Sequence, residues 1–363
     1  MVLVQKGYIS MLLNSFNINN KYKINENSKC FIIAEIGINH NGSLEIAKKL
    51  IKNAKIAGAD AVKFQNYDVD DFIKDKKSYF KYNFGKKVIK INEYDMFKSY
   101  QLTENDFIDL KKYCDEINII FLSTPTNEIG INFLKKIKAP LLKNGSDFLT
   151  NLSLIKHMAT SKIPTILSTG MSNVSEIDDA VNTFIKFGGK KLILLHCTSQ
   201  YPTPNKEINL KKITFLQKRY NCPIGFSDHS DNSNASTMAV ALNAKIVEKH
   251  FTLNKNLLGP DHKMSSNPHE FKKMVEKIRS NEEILGSGTP QLSKNELISR
   301  GNYRLSAYFN ANLVANTSLS EKHIIFRRPG LGLTESNVKQ FFKKKINRNV
   351  KKNQLVMSKF FND

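Results

Sequence analysis

The chain has 363 residues, enough for one large domain plus a small one, and its 40% apolar content with 23 Phe and no Trp suits a packed interior. No run approaches the roughly 18–20 apolar residues of a membrane span, which argues against a membrane partner. The formal charge of +22, from 55 basic and 33 acidic residues, is spread along the whole chain, so a nucleic-acid partner is not expected.

In chain order, residues 1–15 lack the apolar core of a signal peptide and read as a disordered extension. Residues 16–24 (FNINNKYKI) alternate about a central Asn-Asn, the pattern of a β-hairpin. Eight short β-type runs follow, each ending in polar residues. They are FIIAEIG (31–37), AVKFQ (61–65), IIFLSTP (119–125), APLLKNGS (139–146), PTILSTG (164–170), KLILLHCTS (191–199), CPIGFSDHS (222–230) and KIVEKHF (245–251).

Helix-like segments separate the runs. Leu44, Ala47, Leu50, Ile51 and Ala54 recur at the three-and-four spacing of one helical face, and Thr103 caps a segment containing Phe107, Leu110 and Tyr113. Further helices are expected over 128–138, 151–160, 174–187, 209–220, 232–242 and 268–285. Strand–helix alternation eight times over predicts an α/β fold, a (β/α)8 TIM barrel over residues 16–286. A doubly wound open sheet is the alternative, but no Gly-rich dinucleotide loop follows any strand. The long connection 67–101, rich in Lys, Asp and aromatics, reads as a lid or substrate loop. Residues 287–303 read as a linker with a short helix, and 304–363 as a small module whose dense basic stretch, 339–352, is a solvated face.

The four cysteines (Cys30, Cys114, Cys197, Cys222) show no CxxC pairing and are expected as buried thiols in a reducing, cytoplasmic setting. Two strand ends carry imidazoles, His229 and His250. If the strands run parallel, both emerge at one end and can share a metal ion. With oxygen co-ligands, Mn²⁺ or Mg²⁺ suits such a pair better than a closed zinc site, and the ion would polarise an aldehyde oxygen. Collecting the other strand ends gives Glu35, Lys63, Gln65, Ser123, Thr124, Lys143, Ser146, Ser168, Thr169, Ser199, Ser227 and Asp228. Lysines and hydroxyls converging in this way suit a small, multiply anionic ligand. Tyr201 also reads as a packing aromatic, Asp261 as a turn residue, and residues 39–41 as a left-handed loop, while His196 reads as a hydrogen-bonded core imidazole.

At these residues the chain resembles the sialic acid synthase family. The resemblance rests on EIGINHNG (35–42), KFQ (63–65), LSTP (122–125), ILSTGM (166–171), HCTSQYPTP (196–204), GFSDHS (225–230), EKHF (248–251) and GPDHK (259–263), and spans residues 16–363. FRRPGLG (326–332) is similar to the marker of that family's carboxy-terminal antifreeze-like (SAF) domain. The resemblance implies condensation of phosphoenolpyruvate with an N-acetylmannosamine-type sugar, giving a nine-carbon 2-keto sugar acid and phosphate with C–O cleavage. It implies that Lys63, Thr124, Lys143, Ser146, Ser168 and Ser227 hold phosphoenolpyruvate and that Glu35 is a general acid/base. Gln65, Tyr201 and Asp261 would line the sugar's pocket, with Ser199 on the substrate side. His229 and His250 would bind a divalent metal, Mn²⁺ first, with Mg²⁺ or Co²⁺ as alternatives. Arg328 would reach the N-acetyl end from the partner in a domain-swapped homodimer.

The chain departs from the family pattern in places. Phe148 stands where an acidic residue is common after K-x-G-S, with Asp147 one place early; on a strand that shift would turn the carboxylate to the opposite face. Ser199 and Leu331 replace common asparagines. KFQ together with DHK resembles the legionaminate branch, whose acceptor is a 2,4-diacetamido-6-deoxy sugar, and the pseudaminate branch is disfavoured. The competing readings are another phosphoenolpyruvate–aldose condensing enzyme, a non-catalytic sugar-binding barrel, and a basic nucleic-acid-binding protein.

Overall fold

The computed structural model describes residues 10–84 and 87–361. An antiparallel hairpin pairs β1 (Phe16–Asn17) with β2 (Lys23–Ile24). The barrel is formed by β3 (Phe31–Gly37), β4 (Ala61–Asn66), β7 (Ile120–Pro125), β8 (Leu142–Asn144), β9 (Thr165–Ser168), β10 (Leu192–Cys197), β11 (Ile224–Asp228) and β12 (Ile246–His250). These eight parallel strands close on themselves as β12 returns to β3. The expected (β/α)8 barrel is the observed fold.

Side-chain alternation along each strand divides the barrel into two environments. Ile32, Ala34, Val62 and Phe64 point outward into a core shared with the surrounding helices. The alternate residues Phe31, Ile33, Ala61, Leu122, Leu141, Ile166, Ile193, Leu195 and Ile246 fill the lower barrel interior. Phe16, Ile18 and Ile24 of the hairpin belong to this inner cluster, so the hairpin stoppers the N-terminal end of the barrel. One step further along the strands the inward positions become polar, and the site begins there.

The helices form where their apolar stripes and caps dictate. Helix Leu44–Ile56 buries Ala47, Leu50, Ile51 and Ala54 and is capped by Ser43. Helix Glu104–Glu116 carries a capping box in which Thr103 and Asp106 satisfy each other's backbone N–H. The helix expected over 209–220 runs from Lys211 to Arg219, and a separate short helix, Asn205–Ile208, precedes it, the two divided by Asn209 in a left-handed conformation.

The long connection after β4 folds into a short helix (Val69–Phe72), an antiparallel hairpin of β5 (Tyr79–Phe84) and β6 (Lys87–Asn92), and a helix (Glu93–Tyr100). Tyr67, Phe72 and Phe97 lock its base edge to face, with ring centroids 5.3–5.6 Å apart.

One expectation fails at the amino end. Residues 1–9 lie outside the described residues, but 10–15 are held. Leu12 is buried in the main core, the Leu13 amide donates to the Lys190 carbonyl, and Asn221 donates to the Leu12 carbonyl. The buried Leu12 side chain and two hydrogen bonds to the backbone at Leu12 and Leu13 hold this stretch against the barrel unit.

The chain divides into compact units 1–287 and 288–363. In the second unit, β13 (Ser306–Phe309) pairs with β14 (Ile324–Arg327) over a core of Ala307, Phe309, Leu319, Ile346, Val350 and Val356. Residues 294–303, expected within a linker, form a helix tied to this unit through the Gly330 amide and the Gly301 carbonyl. No described helix is long and apolar enough to cross a membrane.

Candidate active site

At the C-terminal ends of the barrel strands lies a cavity of about 920 Å³, near the upper end of the ~300–1,000 Å³ of small-molecule sites. Its floor is a buried charge cluster built by the inward alternation of β3, β4, β8 and β12. Lys63 Nζ is 2.9 Å from Glu35 Oε1 and 3.8 Å from Glu248 Oε1, and Lys143 Nζ is 3.5 Å from the same Glu248 oxygen. Lys63 also donates to Thr124 Oγ1 at 3.2 Å, Ser227 Oγ donates to Glu248 Oε1 at 3.0 Å, and Gln65 Nε2 donates to Glu35 Oε1 at 3.3 Å.

Position in this cluster sets the titration of each member. Burial lifts the Glu35 carboxyl above the usual range although Lys63 opposes it, and Glu248 adds repulsion. Burial acts the same way on Glu248, but Lys143 and Lys63 outweigh it and hold that carboxyl low. Burial pushes the Lys143 ammonium below its ordinary value, with Glu248 only partly compensating. Burial also opposes the charge on Lys63, yet Glu248 and Glu35 together hold its pKa up. The second oxygens of both carboxylates, Glu35 Oε2 and Glu248 Oε2, are buried without a hydrogen-bond partner.

Beside Lys143 stands a hydroxyl cradle. The Gly170 amide donates to Ser146 Oγ at 3.1 Å, and the buried hydroxyls of Ser168 and Ser199 have no hydrogen-bond partner. A Cβ on Gly170 would lie 2.4 Å from Ser199 Oγ and 2.7 Å from Ser146 Oγ, so only glycine leaves this recess open. An ammonium, three hydroxyls and a close backbone make a receptor for a tetrahedral anion.

Across the mouth, the His229 and His250 rings lie 5.6 Å apart, and the Tyr201 ring leans over His229 at 4.2 Å. His229 Nδ1 is 2.8 Å from the Thr198 carbonyl, which can only accept, so its ring proton sits on Nδ1. The hydroxyl nearest Nε2, Ser227 Oγ, donates to Glu248, which leaves the Nε2 lone pair open. Burial and the neighbouring His229 hold the His250 pKa well below normal, and His250 Nδ1 is buried without a hydrogen-bond partner. Asp261 Oδ2 is 3.8 Å from that nitrogen, and burial together with Glu35 pushes the Asp261 carboxyl up to about 7.

The structure thus gathers Glu35, Lys63, Gln65, Thr124, Lys143, Ser146, Ser168, Ser199, Tyr201, Ser227, His229, His250 and Asp261 around one cavity. Arg328 lies in the second unit, its guanidinium over the Tyr303 ring. Three strand-end residues do not belong to the site, because each has the outward parity of its strand. Ser123 donates to the Phe64 carbonyl, Thr169 to the Leu195 carbonyl, and Asp228 pairs with Lys249. His196, two positions from Leu194 on the outer face, is a core imidazole 2.6 Å from the Ile208 carbonyl.

Three residues escaped the sequence reading. Glu248 shares the inward face of His250 two positions later, a signal that strand parity contained. Cys197, expected only as a buried thiol, lines the cavity 3.8 Å from His229 Nδ1. Asp147 lines it as well, because β8 ends at Asn144 and residues Ser146–Phe148 form a 3-10 turn, which cancels the strand-parity argument. Residues 39–41 carry the expected left-handed backbone only at Asn41. Asn39 instead braces the mouth, donating to the Phe251 carbonyl and Ser265 Oγ.

Comparison with known proteins matches this architecture. The NeuB family pattern matches residues 50–290. The chain belongs to the NeuB family. It is 38% identical over 325 residues to the N,N'-diacetyllegionaminic acid synthase of Legionella pneumophila, covering 88% of this chain and 91% of that protein. An uncharacterized protein of Methanocaldococcus jannaschii is 39% identical, covering 95% of this chain and 98% of the other. Among solved structures, the N-acetylneuraminic acid synthetase of Leptospira borgpetersenii, in complex with citrate, superposes with a TM-score of 0.72 at 34% identity. The match covers 79% of this chain and 95% of that one.

Among the described residues of this NeuB-family chain, no three or more His, Cys, Asp and Glu side chains are grouped to hold a metal by themselves. The donor set is two imidazoles, His250 Nδ1 being buried without a hydrogen-bond partner, close to Asp261. That set fits an incompletely ligated cation whose remaining positions go to substrate and water, not a closed structural site.

Proposed function

We propose that the protein is a nonulosonate synthase. It condenses phosphoenolpyruvate with an open-chain N-acetylmannosamine-type sugar and water to give a nine-carbon 2-keto sugar acid and phosphate. The observation that carries this reading is one cavity combining two buried ammonium groups, a recess of three hydroxyls and an imidazole pair. Phosphoenolpyruvate brings a phosphate for the recess of Ser146, Ser168 and Ser199 beside Lys143. Its carboxylate then falls to Lys63, Thr124 and Ser227. His229 and His250 would hold a divalent cation, Mn²⁺ in the first instance, which would supply polarisation of the acceptor's aldehyde oxygen.

The chain's own residues account for the rest. The enol π electrons of phosphoenolpyruvate form the new C–C bond to the aldehyde carbon, whose oxygen takes up a proton. Water adds at the former enol carbon and loses its protons as the C–O bond to phosphate breaks, leaving the ketone. Glu35 suits the proton movements, because burial raises its pKa above the usual carboxylate range and its Oε2 has no hydrogen-bond partner. Lys63, 2.9 Å from Glu35, keeps that carboxyl oriented between the two substrates.

Gln65, Tyr201 and Asp261 are assigned to the acceptor. Phe72, Phe80, Met96 and Phe97 of the long connection after β4 give the mouth an apolar wall. That wall suits a methyl-bearing 2,4-diacetamido-6-deoxy acceptor, in line with the similarity to the Legionella pneumophila protein. The proposal includes an antifreeze-like (SAF) domain over residues 304–363, a domain-swapped homodimer supplying Arg328, and a cytoplasmic setting. The test is phosphate release from phosphoenolpyruvate with Mn²⁺, offering N-acetylmannosamine and its 2,4-diacetamido-6-deoxy counterpart in parallel, each with and without EDTA. Sugar-dependent, chelator-sensitive release supports the reading, and the faster acceptor assigns the branch. No release from folded protein overturns it.

A further inference from the structure

Directly behind the imidazole pair, on the outer side of the barrel wall, lies a buried ion pair that the reaction itself does not use. Strands β11 and β12 run parallel with Asp228 opposite Lys249, and each of these residues immediately precedes one imidazole, His229 or His250. Asp228 is 1% exposed and Lys249 3%, with Lys249 Nζ 3.2 Å from Asp228 Oδ2. The remaining polar atoms are matched as well. Asp228 Oδ1 accepts from the Ser230 amide at 2.8 Å and from Ser230 Oγ at 2.7 Å. Asp228 Oδ2 accepts from Ser236 Oγ, and Lys249 donates to the Ser230 carbonyl at 2.8 Å.

A fully buried ion pair is a poor device for stability, because desolvation offsets most of the attraction and apolar replacements are often as stable. Its attested use is to fix a register. Here it joins the ends of two strands, and through Ser230 it also fixes the turn that contains His229. The turn is held from the other side by the Thr203 amide, which donates to the His229 carbonyl at 2.9 Å. The ion pair, Ser230 and Thr203 therefore set the backbone of the His229 turn relative to His250, while the Thr198 carbonyl orients the His229 ring.

We propose that Asp228 and Lys249 are positioning residues: a buried clamp across β11 and β12 that sets the alignment of the two imidazoles and so tunes divalent-cation binding. The second half of the proposal rests on the reading of His229 and His250 as metal ligands. Outer-shell partners of this kind typically change metal affinity ~10–100-fold.

The decisive variant is the double replacement Asp228→Asn with Lys249→Met, which removes both charges and keeps the volume. Single replacements leave a lone buried charge and confuse folding with positioning. Three measurements are made on the full chain without substrate: thermal unfolding, Mn²⁺ binding followed by electron paramagnetic resonance, and ¹⁵N chemical shifts of labelled histidine rings in metal-free protein. The clamp predicts a double variant that melts near the wild type, binds Mn²⁺ about 10-fold more weakly or worse, and loses the single Nδ1-protonated signature of His229. Unchanged Mn²⁺ affinity and unchanged ring shifts in the folded variant overturn the proposal. If the wild type itself binds no Mn²⁺, the metal reading falls while the ring shifts still decide the clamp: altered shifts support it and identical shifts refute it.

Discussion

Replacing Glu248 by Gln tests the charge balance of the site most sharply. Glu248 is the shared counter-charge of Lys63 at 3.8 Å and Lys143 at 3.5 Å, and all three side chains are buried. At an effective dielectric of about 20, each attraction is about 4–5 kcal/mol. Lys63 retains Glu35 at 2.9 Å, whereas the ion pair of Lys143 among the described residues is with Glu248 alone. Glutamine keeps the shape and still accepts from Ser227, so the loss falls mainly on Lys143, whose pKa is already depressed by burial. Shedding the Lys143 proton limits the damage, and the expected loss for the empty protein is about 3–5 kcal/mol, the usual cost of breaking a buried pair. In a unit of this size that lowers Tm by roughly 10 °C. The assay is thermal unfolding at pH 7, with and without phosphoenolpyruvate. The anion restores the missing negative charge, so it should stabilise the variant more than the wild type. The folded pKa of Glu248 is depressed, so its contribution is present above the ordinary carboxyl value and is lost as pH falls through the lower folded value. The two proteins should therefore converge in acid. Equal melting at pH 7, or a gap that persists unchanged at pH 3, would refute the reasoning.

Other outcomes follow from the same geometry. Gly170→Ala places a methyl in the hydroxyl recess, 2.4 Å from Ser199 Oγ, and should raise KM for phosphoenolpyruvate at least ~10-fold with little effect on the sugar's KM, read from steady-state kinetics. Gly225→Ala drives a Cβ to 2.5 Å from Leu195 Cδ2 and 2.6 Å from the Ile246 carbonyl inside the barrel, and should cost about 1–3 kcal/mol in denaturant melts. Burial depresses the imidazoles of His40 and His196 to about 4 each. Unfolded histidines titrate near 6.5, so the unfolded chain binds more protons between those values and stability should fall as pH drops from about 6.5 to about 4. His196→Asn should flatten that slope in a pH series of melting temperatures. Phe97→Ala removes one corner of the aromatic triangle under the inserted hairpin, and should speed amide exchange across 69–100 while leaving the barrel strands protected.

The barrel was legible because strands buried on both faces read as short apolar runs and the helices between them carry clean periodicity. Once eight parallel strands close, their polar C-terminal residues must meet, which brought Lys63, Lys143, Ser168 and the two imidazoles together before any coordinates. The errors came from parity and from loops. Asp228, Ser123 and Thr169 sit one residue away from inward positions and face the helices instead. Glu248 stands outside the strand-end set although a period of two puts both it and His250 in the barrel. Asp147 could not be placed by strand logic, since its carboxylate is aimed by a 3-10 turn that begins just after the strand ends. Leu12 shows the remaining limit: of the apolar run Met11, Leu12 and Leu13 only Leu12 is buried, and local composition does not say which of the three finds a gap in the core.

The most direct measurement follows the bridging oxygen of phosphoenolpyruvate. Substrate labelled with ¹⁸O between the enol carbon and phosphorus is incubated with Mn²⁺ and the preferred acceptor, and both products are weighed by mass spectrometry. The account predicts that all label leaves with phosphate, that the nine-carbon keto acid carries none of it, and that no phosphate forms without sugar. Label retained on the organic product would mean that the P–O bond breaks instead, and phosphate released without an acceptor would mean hydrolysis without C–C bond formation; either result would contradict the condensation.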